Sequence, residues 1–138
     1  MNYKESLEYL DSLSFTGIKL GLENISKILA AFENPHLKIP CIHVAGTNGK
    51  GSISVFLESI LRSSGNRVGL FTSPHFLDFR ERIQIDREYI PRDHFIALSL
   101  KLKTTIKSLD ILPTYFEFST ALAFLFFLDQ KVDWIILE

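Results

Sequence analysis

Apolar residues recur at helical spacing in the first quarter of the chain, which predicts two helices there. The first covers residues 3–13 and the second covers residues 20–32. One apolar stripe runs along the second helix and consists of Leu22, Ile25, Leu29 and Phe32. Asn34-Pro35 then closes this helix, because proline cannot continue it.

A βαβ unit is predicted over residues 40–71. Its first strand is the apolar run 41–44, and a glycine-rich segment joins that run to a helix over residues 50–62. We expect the buried face of this helix to consist of Ile53, Phe56, Leu57 and Ile60. The polar turn at residues 63–66 leads into a second buried strand over residues 67–71.

A small hairpin follows between residues 82 and 90, where Ile83 and Ile85 alternate with polar residues ahead of a turn-forming run. Pro91 is a favourable residue for the first turn of a helix. The pattern therefore predicts another helix from about residue 92 to residue 108.

An almost wholly apolar helix is predicted to begin at Thr114, which has the spacing of a capping box with Glu117. Because this helix is apolar on all sides as far as Phe127, it must be buried on most of them. Residues 133–137 form a third buried strand, which ends at Glu138.

Strands that alternate with helices predict a parallel sheet, whose ligands bind beyond the carboxyl ends of the strands. Three strand ends then meet at one edge, namely the glycine-rich segment, residues 72–75 and Glu138. We expect the chemistry to be centred at this edge. An α/β domain does not normally stop on a buried central strand, so the chain is expected to be a truncated part of a larger domain.

Composition and charge are those of a soluble protein, with 46% hydrophobic and 22% charged residues. The net charge of −1 offers no basis for binding to nucleic acid or to a membrane surface. Cys41 is the single cysteine and is expected to lie in the core of a buried strand, in a reducing compartment. The N-terminus shows no signal-peptide pattern, and residues 121–128 are too few to span a bilayer. A cytoplasmic protein is predicted.

The glycine-rich segment suits a polyphosphate ligand and consists of Gly46, Thr47, Asn48, Gly49, Lys50, Gly51 and Ser52. Glycines let the backbone approach the ligand, the N–H groups at the helix start face its negative charge, and Lys50 adds a cation. A hydroxyl such as that of Ser52 can reach the magnesium ion that accompanies a nucleotide. The fold class expected is therefore α/β, a three-layer P-loop NTPase-like parallel sheet with flanking helices.

Two departures separate this segment from the usual phosphate loop. Val44 stands where that loop has its first glycine, and Gly51 separates Lys50 from Ser52. The alternative interpretation is an ordinary Gly/Asn turn that only links a strand to a helix. Three glycines within six residues, one lysine and a following helix favour the phosphate site.

With these departures the sequence resembles bacterial dihydrofolate synthase/folylpolyglutamate synthase, a family of Mur-ligase-type ATP-dependent amide ligases. The resemblance rests on residues 43–52, 72–75, 81–83 and 114–117 in the expected order. It implies that residues 1–138 are the N-terminal portion of the ATP-binding domain, without the C-terminal glutamate-ligase domain. It also implies the substrates ATP, L-glutamate and dihydropteroate or folate, with both synthase activities in a protein expected to be monomeric at full length.

The family's chemistry implies a role for each matched residue on the nucleotide side. Residues 46–52 would hold the ATP phosphates, and Lys50 would be catalytic by stabilising charge on the transferring phosphoryl group. Ser73 and Glu138 match two magnesium ligands, and both supply the oxygen that a hard cation needs. From the residues alone, a hydroxyl that caps a turn before Pro74 is the better interpretation of Ser73, whereas a solvated strand end is as good an interpretation of Glu138 as a metal ligand.

On the pterin side, the resemblance implies binding by two segments and by a histidine: Leu20, Gly21, Leu22, His75, Thr114, Tyr115, Phe116 and Glu117. Structural alternatives remain open, because Leu20 and Leu22 also suit a core and Thr114 with Glu117 also suits a simple helix cap. Lys19 departs from the acidic residue expected at its position.

Several family parts do not lie in these residues, among them a histidine metal ligand, a carbamylated lysine and the second domain. The isolated chain is therefore expected to be catalytically inactive. Three other classes stay open: a non-catalytic nucleotide-binding module, a cell-wall Mur-type amino-acid ligase and a phosphate-loop nucleoside kinase. Gly51 and residues 73–75 argue against the second class, and the incomplete loop pattern argues against the third.

Overall fold

Five α-helices and five β-strands form in the computed structural model, which describes residues 1–138. The helices are α1 (Tyr3–Ser12), α2 (Glu23–Ala31), α3 (Lys50–Ser63), α4 (Arg92–Ser108) and α5 (Tyr115–Asp129). The strands are β1 (Cys41–His43), β2 (Val68–Phe71), β3 (Ile83–Ile85), β4 (Glu88–Tyr89) and β5 (Trp134–Leu137). Each predicted helix and strand is present, with boundaries shifted by up to three residues.

The chain divides into two compact units, which the sequence pattern does not indicate. A helical unit comprises residues 1–36 and 92–126, and a sheet unit comprises residues 37–91 and 127–138. None of the helices combines the length and the apolar character needed to cross a membrane.

The sheet unit contains all five strands in the spatial order β1-β5-β2-β3-β4. Strand β5 pairs in parallel with β1 on one side and with β2 on the other, and the β3–β4 hairpin continues the sheet in antiparallel fashion. This confirms the predicted α/β class with a parallel core and a hairpin. The hairpin turn is formed by Asp86 and Arg87, both at positive φ, and the Asp86 carboxylate accepts a hydrogen bond from the Val68 N–H at 2.9 Å.

Helix α3 covers one face of this sheet. A hydrophobic cluster on that face consists of Val44, Val68, Leu70 and Ile136, with Ile42, Leu57 and Leu61 packed against it. On β2, Gly69 alternates with these cluster residues, and a Cβ atom there would lie 2.7–2.9 Å from ring atoms of Phe127. Phe127 at the end of α5 therefore covers the opposite face of β2.

The predicted buried face of α3 is wrong for three of its four residues, since only Leu57 packs against the sheet. Ile53, Phe56 and Ile60 are 50%, 65% and 62% exposed, whereas Ser54 and Glu58 are fully buried. The reason is that Glu58 forms two ion pairs, which the spacing of apolar residues cannot predict. The Glu58 carboxylate binds Arg62 at 2.7 Å and Arg87 of the hairpin turn at 2.9 Å, so a charged residue faces inwards with its charge balanced.

Two further expectations about burial are wrong. Cys41 is exposed, because β1 is an edge strand of the sheet rather than a central one. Leu22 is also exposed, because α2 begins at Glu23 instead of residue 20, after a glycine at positive φ. Helix α2 buries Ile28 and Leu29.

The helical unit is held by aromatic contacts and by side-chain caps. Tyr3 of α1 packs edge-on against Phe95 of α4, and Tyr9 of α1 packs edge-on against Phe118 of α5. The predicted capping box at α5 is confirmed, since the Glu117 N–H donates to Thr114 Oγ1 at 3.1 Å. Seven consecutive α5 residues, 121–127, are buried, as its apolar composition predicts.

Replacing Glu58 with Gln should destabilise the protein by about 2 kcal/mol, because hydrogen bonds that involve charged partners are the strong ones. Chemical denaturation measures the change in free energy of unfolding. Glu8→Gln is the matched control, since Glu8 pairs with Lys4 at the exposed surface and its loss should cost under about 0.5 kcal/mol. Equal effects of the two substitutions would show that the buried ion pairs do not orient α3.

Replacing Gly69 with Ala should destabilise the protein by about 1–3 kcal/mol, because the new methyl group would overlap the Phe127 ring. The same substitution in a Phe127→Leu background should cost clearly less, since the smaller side chain leaves room. Four unfolding curves complete this double-mutant cycle. Additive effects would contradict the close approach of helix and strand.

Candidate functional site

The carboxyl ends of the three parallel strands lie at one level of the sheet. The Val44 N–H after β1 donates to the Leu137 carbonyl at 2.7 Å, and the Glu138 N–H after β5 donates to the Phe71 carbonyl at 2.9 Å. The Thr72 N–H after β2 donates to the Arg82 carbonyl at 3.0 Å. The structure therefore brings the glycine-rich segment, Glu138 and residues 72–75 to a shared edge, as the sequence predicts.

The glycine-rich segment forms the loop between β1 and α3. Gly49 is the N-cap residue of α3 with φ of 77°, a left-handed conformation that glycine adopts without steric cost, and no side chain caps this helix. The first helical bond runs from the Ile53 N–H to the Gly49 carbonyl at 3.0 Å. The N–H groups of the first turn therefore remain available to an anion.

Lys50 and Glu138 bring opposite charges to this loop. A Cβ atom at Gly46 would lie 3.9 Å from Cγ of Lys50, so the lysine side chain runs back along the loop. A Cβ atom at Gly51 would lie 3.8 Å from Oε2 of Glu138, so this carboxylate lies against the first turn of α3. The absence of a side chain at Gly51 leaves that space open between the helix and the carboxylate.

Ser73 and Glu138 are the oxygen donors expected to bind a metal ion. No group of three or more histidine, cysteine, aspartate or glutamate residues is arranged to hold a metal. A hydroxyl and one carboxylate nevertheless suit Mg²⁺, which takes few protein ligands and completes its shell with water and phosphate oxygens.

Glu81 organises the loop that follows β2. Its carboxylate accepts the N–H groups of Phe76, Leu77 and Asp78 at 3.0, 2.8 and 2.7 Å. The backbone hydrogen bonds from Phe76, Asp78 and Leu77, in that order, lower the pKa of Glu81, and the nearby His75 adds to the effect.

His75 is fixed at the base of this loop by Arg82. The Nε–H of Arg82 donates to Nδ1 of His75 at 2.7 Å, so Nδ1 acts as an acceptor. Phe79 packs edge-on against the imidazole ring. His75 was predicted as a pterin ligand, and the structure places it in the sheet unit, whereas the other predicted pterin ligands lie in the helical unit.

An apolar cavity of about 740 Å³ opens in the helical unit between two segments of the chain. Its lining includes most of the predicted pterin ligands, namely Gly21, Leu22, Thr114, Tyr115, Phe116 and Glu117. Leu20 and His75 are the exceptions, since neither lines the cavity. The remaining lining residues are Ser14, Gly17, Ile18, Lys19, Ile25 and Thr120.

Several of these functional contacts have no signature in the sequence. The pairing of Arg82 with His75 and the clamp made by Glu81 depend on loop geometry, although the run 81–83 stands out as a motif. Ile18 and Ile25 line the cavity, but apolar residues at helical spacing are equally typical of a core. Only their nearness to Gly21 along the chain could have suggested them.

A glycine-rich loop that leads into an uncapped helix at the carboxyl edge of parallel strands is the arrangement typical of P-loop nucleotide-binding units. No protein-family model matches the chain. Individual proteins do match it, among them folylpolyglutamate synthases and dihydrofolate synthases.

The Bacillus subtilis dihydrofolate synthase/folylpolyglutamate synthase is 38% identical over 141 residues, which cover 99% of this chain and 33% of that protein. The structure of folylpolyglutamate synthetase from Lactobacillus casei matches with a TM-score of 0.95 at 37% identity, over 100% of this chain and 36% of that one. An FPGS–AMPPCP–folate complex matches with a TM-score of 0.90 at 37% identity, over 100% of this chain and 35% of that one.

This chain is therefore homologous, along nearly all of its length, to an N-terminal part of the dihydrofolate synthase/folylpolyglutamate synthases. It spans about a third of the length of these relatives. The comparisons confirm the resemblance drawn from the sequence and the α/β fold that it implies.

The clamp at Glu81 predicts a pH-dependent loop. The pKa of Glu81 in the folded protein lies below its usual value of 4.5. The stability that its hydrogen bonds give to the loop is therefore complete above pH 4.5 and is lost as the pH falls through the lowered pKa. Amide chemical shifts of Phe76, Leu77 and Asp78 should therefore change together with a midpoint below 4.5.

Glu81→Gln should shift these amide resonances already at neutral pH, because a neutral amide is a weaker acceptor than a carboxylate. Glu88→Gln is the control, since Glu88 lies on the exposed strand β4. Unchanged loop amides in Glu81→Gln would refute the clamp.

Proposed function

We propose that this chain is the nucleotide- and pterin-binding part of an ATP-dependent acid–amino-acid ligase, which joins L-glutamate to dihydropteroate or folate. The observation that carries the proposal is the edge shared by the phosphate loop, Glu138 and Ser73 in a chain homologous to folylpolyglutamate synthases. The homologous complex with AMPPCP and folate supports the same pair of ligands.

In this proposal the backbone N–H groups of residues 46–52 bind the polyphosphate of ATP. They can do so because α3 begins without a side-chain cap and its first turn is free to bind an anion. Lys50 is the catalytic cation. Its ammonium stabilises the charge that develops on the γ-phosphoryl group as it is transferred.

Mg²⁺ is part of the proposal, with Ser73 and Glu138 as the residues that would hold it. Both are oxygen donors that follow neighbouring strands, β2 and β5, at the carboxyl edge. When bound, the ion would neutralise part of the phosphate charge.

The reaction has two steps. A carboxylate oxygen of the pterin substrate attacks the γ-phosphorus of ATP, which forms an acyl phosphate and releases ADP. The amine of glutamate then attacks the acyl carbon, loses a proton and expels phosphate to leave an amide. Within this chain, Lys50 would serve the first step, and the cavity of the helical unit would hold the pterin ring.

We propose His75 as a further ligand-binding residue, within the sheet unit. With Nδ1 occupied by Arg82, its Nε2 is the nitrogen left to face a ligand. We place the enzyme in the cytoplasm, where an exposed cysteine such as Cys41 stays reduced.

Isothermal titration of the chain with Mg-ATP tests the nucleotide half of the proposal. Lys50→Ala should weaken binding about 10-fold or more, because it removes the one cation of the loop. Lys131→Gln removes an equal charge from the turn before β5, at the opposite edge of the sheet, and should leave binding unchanged. Equal affinities for all three proteins, or no binding by the unsubstituted chain, would count against the phosphate site.

A further inference from the structure

The cavity of the helical unit contains two charged residues in an otherwise apolar and hydroxyl-bearing lining. They are Lys19, from the segment before α2, and Glu117, from the first turn of α5. Ile18, Leu22 and Ile25 supply apolar surface, and Tyr115 and Phe116 supply aromatic rings. Such a lining suits a flat ring system with a few polar atoms on its edge.

Lys19 is held in place by a buried amide. Its Nζ donates to Oδ1 of Asn24 at 3.1 Å, and Nδ2 of Asn24 donates to the Leu112 carbonyl at 3.2 Å. Asn24 is a buried polar residue of α2, and its two hydrogen bonds offset the cost of burying its amide group. The ammonium has three donors and uses one of them on Asn24, which leaves donors for a ligand.

Glu117 has acceptor capacity to spare. Its Oε1 accepts from the Thr114 N–H at 3.4 Å as half of the capping box, and its Oε2 makes no hydrogen bond within the protein. Lys19 and Glu117 thus place a cationic donor and an anionic acceptor in the lining of one cavity.

A wholly apolar ligand would fit this lining poorly. It would displace water from an ammonium and a carboxylate without replacing the lost hydrogen bonds, which is costly. A favourable ligand must offer an acceptor to Lys19 and a donor to Glu117. A 2-amino-4-oxopteridine does so on one ring edge, where the 4-oxo oxygen accepts and the neighbouring ring N–H and amino group donate.

We infer that Lys19, positioned by Asn24, determines specificity by donating to the 4-oxo oxygen of the pterin ring, while Glu117 accepts from the adjacent ring N–H and amino group. The inference rests on the proposed function for its choice of ligand, and it adds the orientation of the ring and the reason for its selection. An analogue that carries a 4-amino group is disfavoured, because a donor then faces a donor.

Binding of two ligands tests this inference, namely pteroate and its 2,4-diamino analogue, 4-amino-4-deoxypteroate. Titrations at neutral pH keep both ring systems neutral, because the pteroate ring N–H ionises only at alkaline pH and the diamino ring is protonated only at acidic pH. The unsubstituted chain should bind pteroate about 10-fold or more tightly than the analogue. Lys19→Met should remove most of this preference, chiefly by weakening pteroate. Lys19→Glu should reverse it, because a carboxylate accepts from the 4-amino group.

Lys27→Met is the matched control, since it removes an exposed lysine of α2 that does not line the cavity, and the preference should persist. Circular dichroism checks that each variant is folded, which is expected because Lys19 is exposed. Equal binding of both ligands by the unsubstituted chain, or an unaltered preference in Lys19→Glu, would overturn the inference and leave the proposed function intact. Failure to bind either ligand would overturn the pterin cavity itself, and the inference with it.

Discussion

The sheet unit depends on the parallel pairing of strand β5 with β1 on one side and with β2 on the other. Strands β1 and β2 do not pair with each other, and only β5, the last of the five strands along the chain, joins them in the sheet. Its register fixes the level at which β1 and β2 end. The phosphate loop, Glu138 and the loop that contains Ser73 therefore meet at one edge through backbone pairing, and no contact among their side chains is needed to align them.

The orientation of α3 adds the second constraint. A helix over a sheet can rotate about its axis, and a rotation would move the first turn away from Glu138. Here the buried Glu58 carboxylate binds an arginine one turn later and Arg87 of the hairpin, which holds the helix to the sheet at mid-length. We expect this charge pairing, which lies away from the loop, to help keep the Gly51 side of the first turn towards Glu138.

Local features of the fold were predictable from the sequence, and non-local ones were not. The start of α3 after Gly49 and the capping box of α5 follow from residue types a few positions apart. The burial of Glu58 depends on Arg87, 29 residues away, and the bond from Asn24 to the Leu112 carbonyl joins residues 88 apart. Apolar periodicity carries no information about such partners, so the predicted face of α3 was wrong.

The two candidate sites would recognise ligands by different means. The glycine-rich loop, residues 46–52, offers backbone N–H groups and one lysine, and a polyphosphate would satisfy them whatever it is attached to. The cavity uses side chains, with Lys19 and Glu117 set in apolar walls. Substitutions in the cavity can therefore change which ring is accepted without altering the phosphate chemistry. Under the proposed function, substrate choice would therefore belong to the helical unit and phosphoryl activation to the sheet unit.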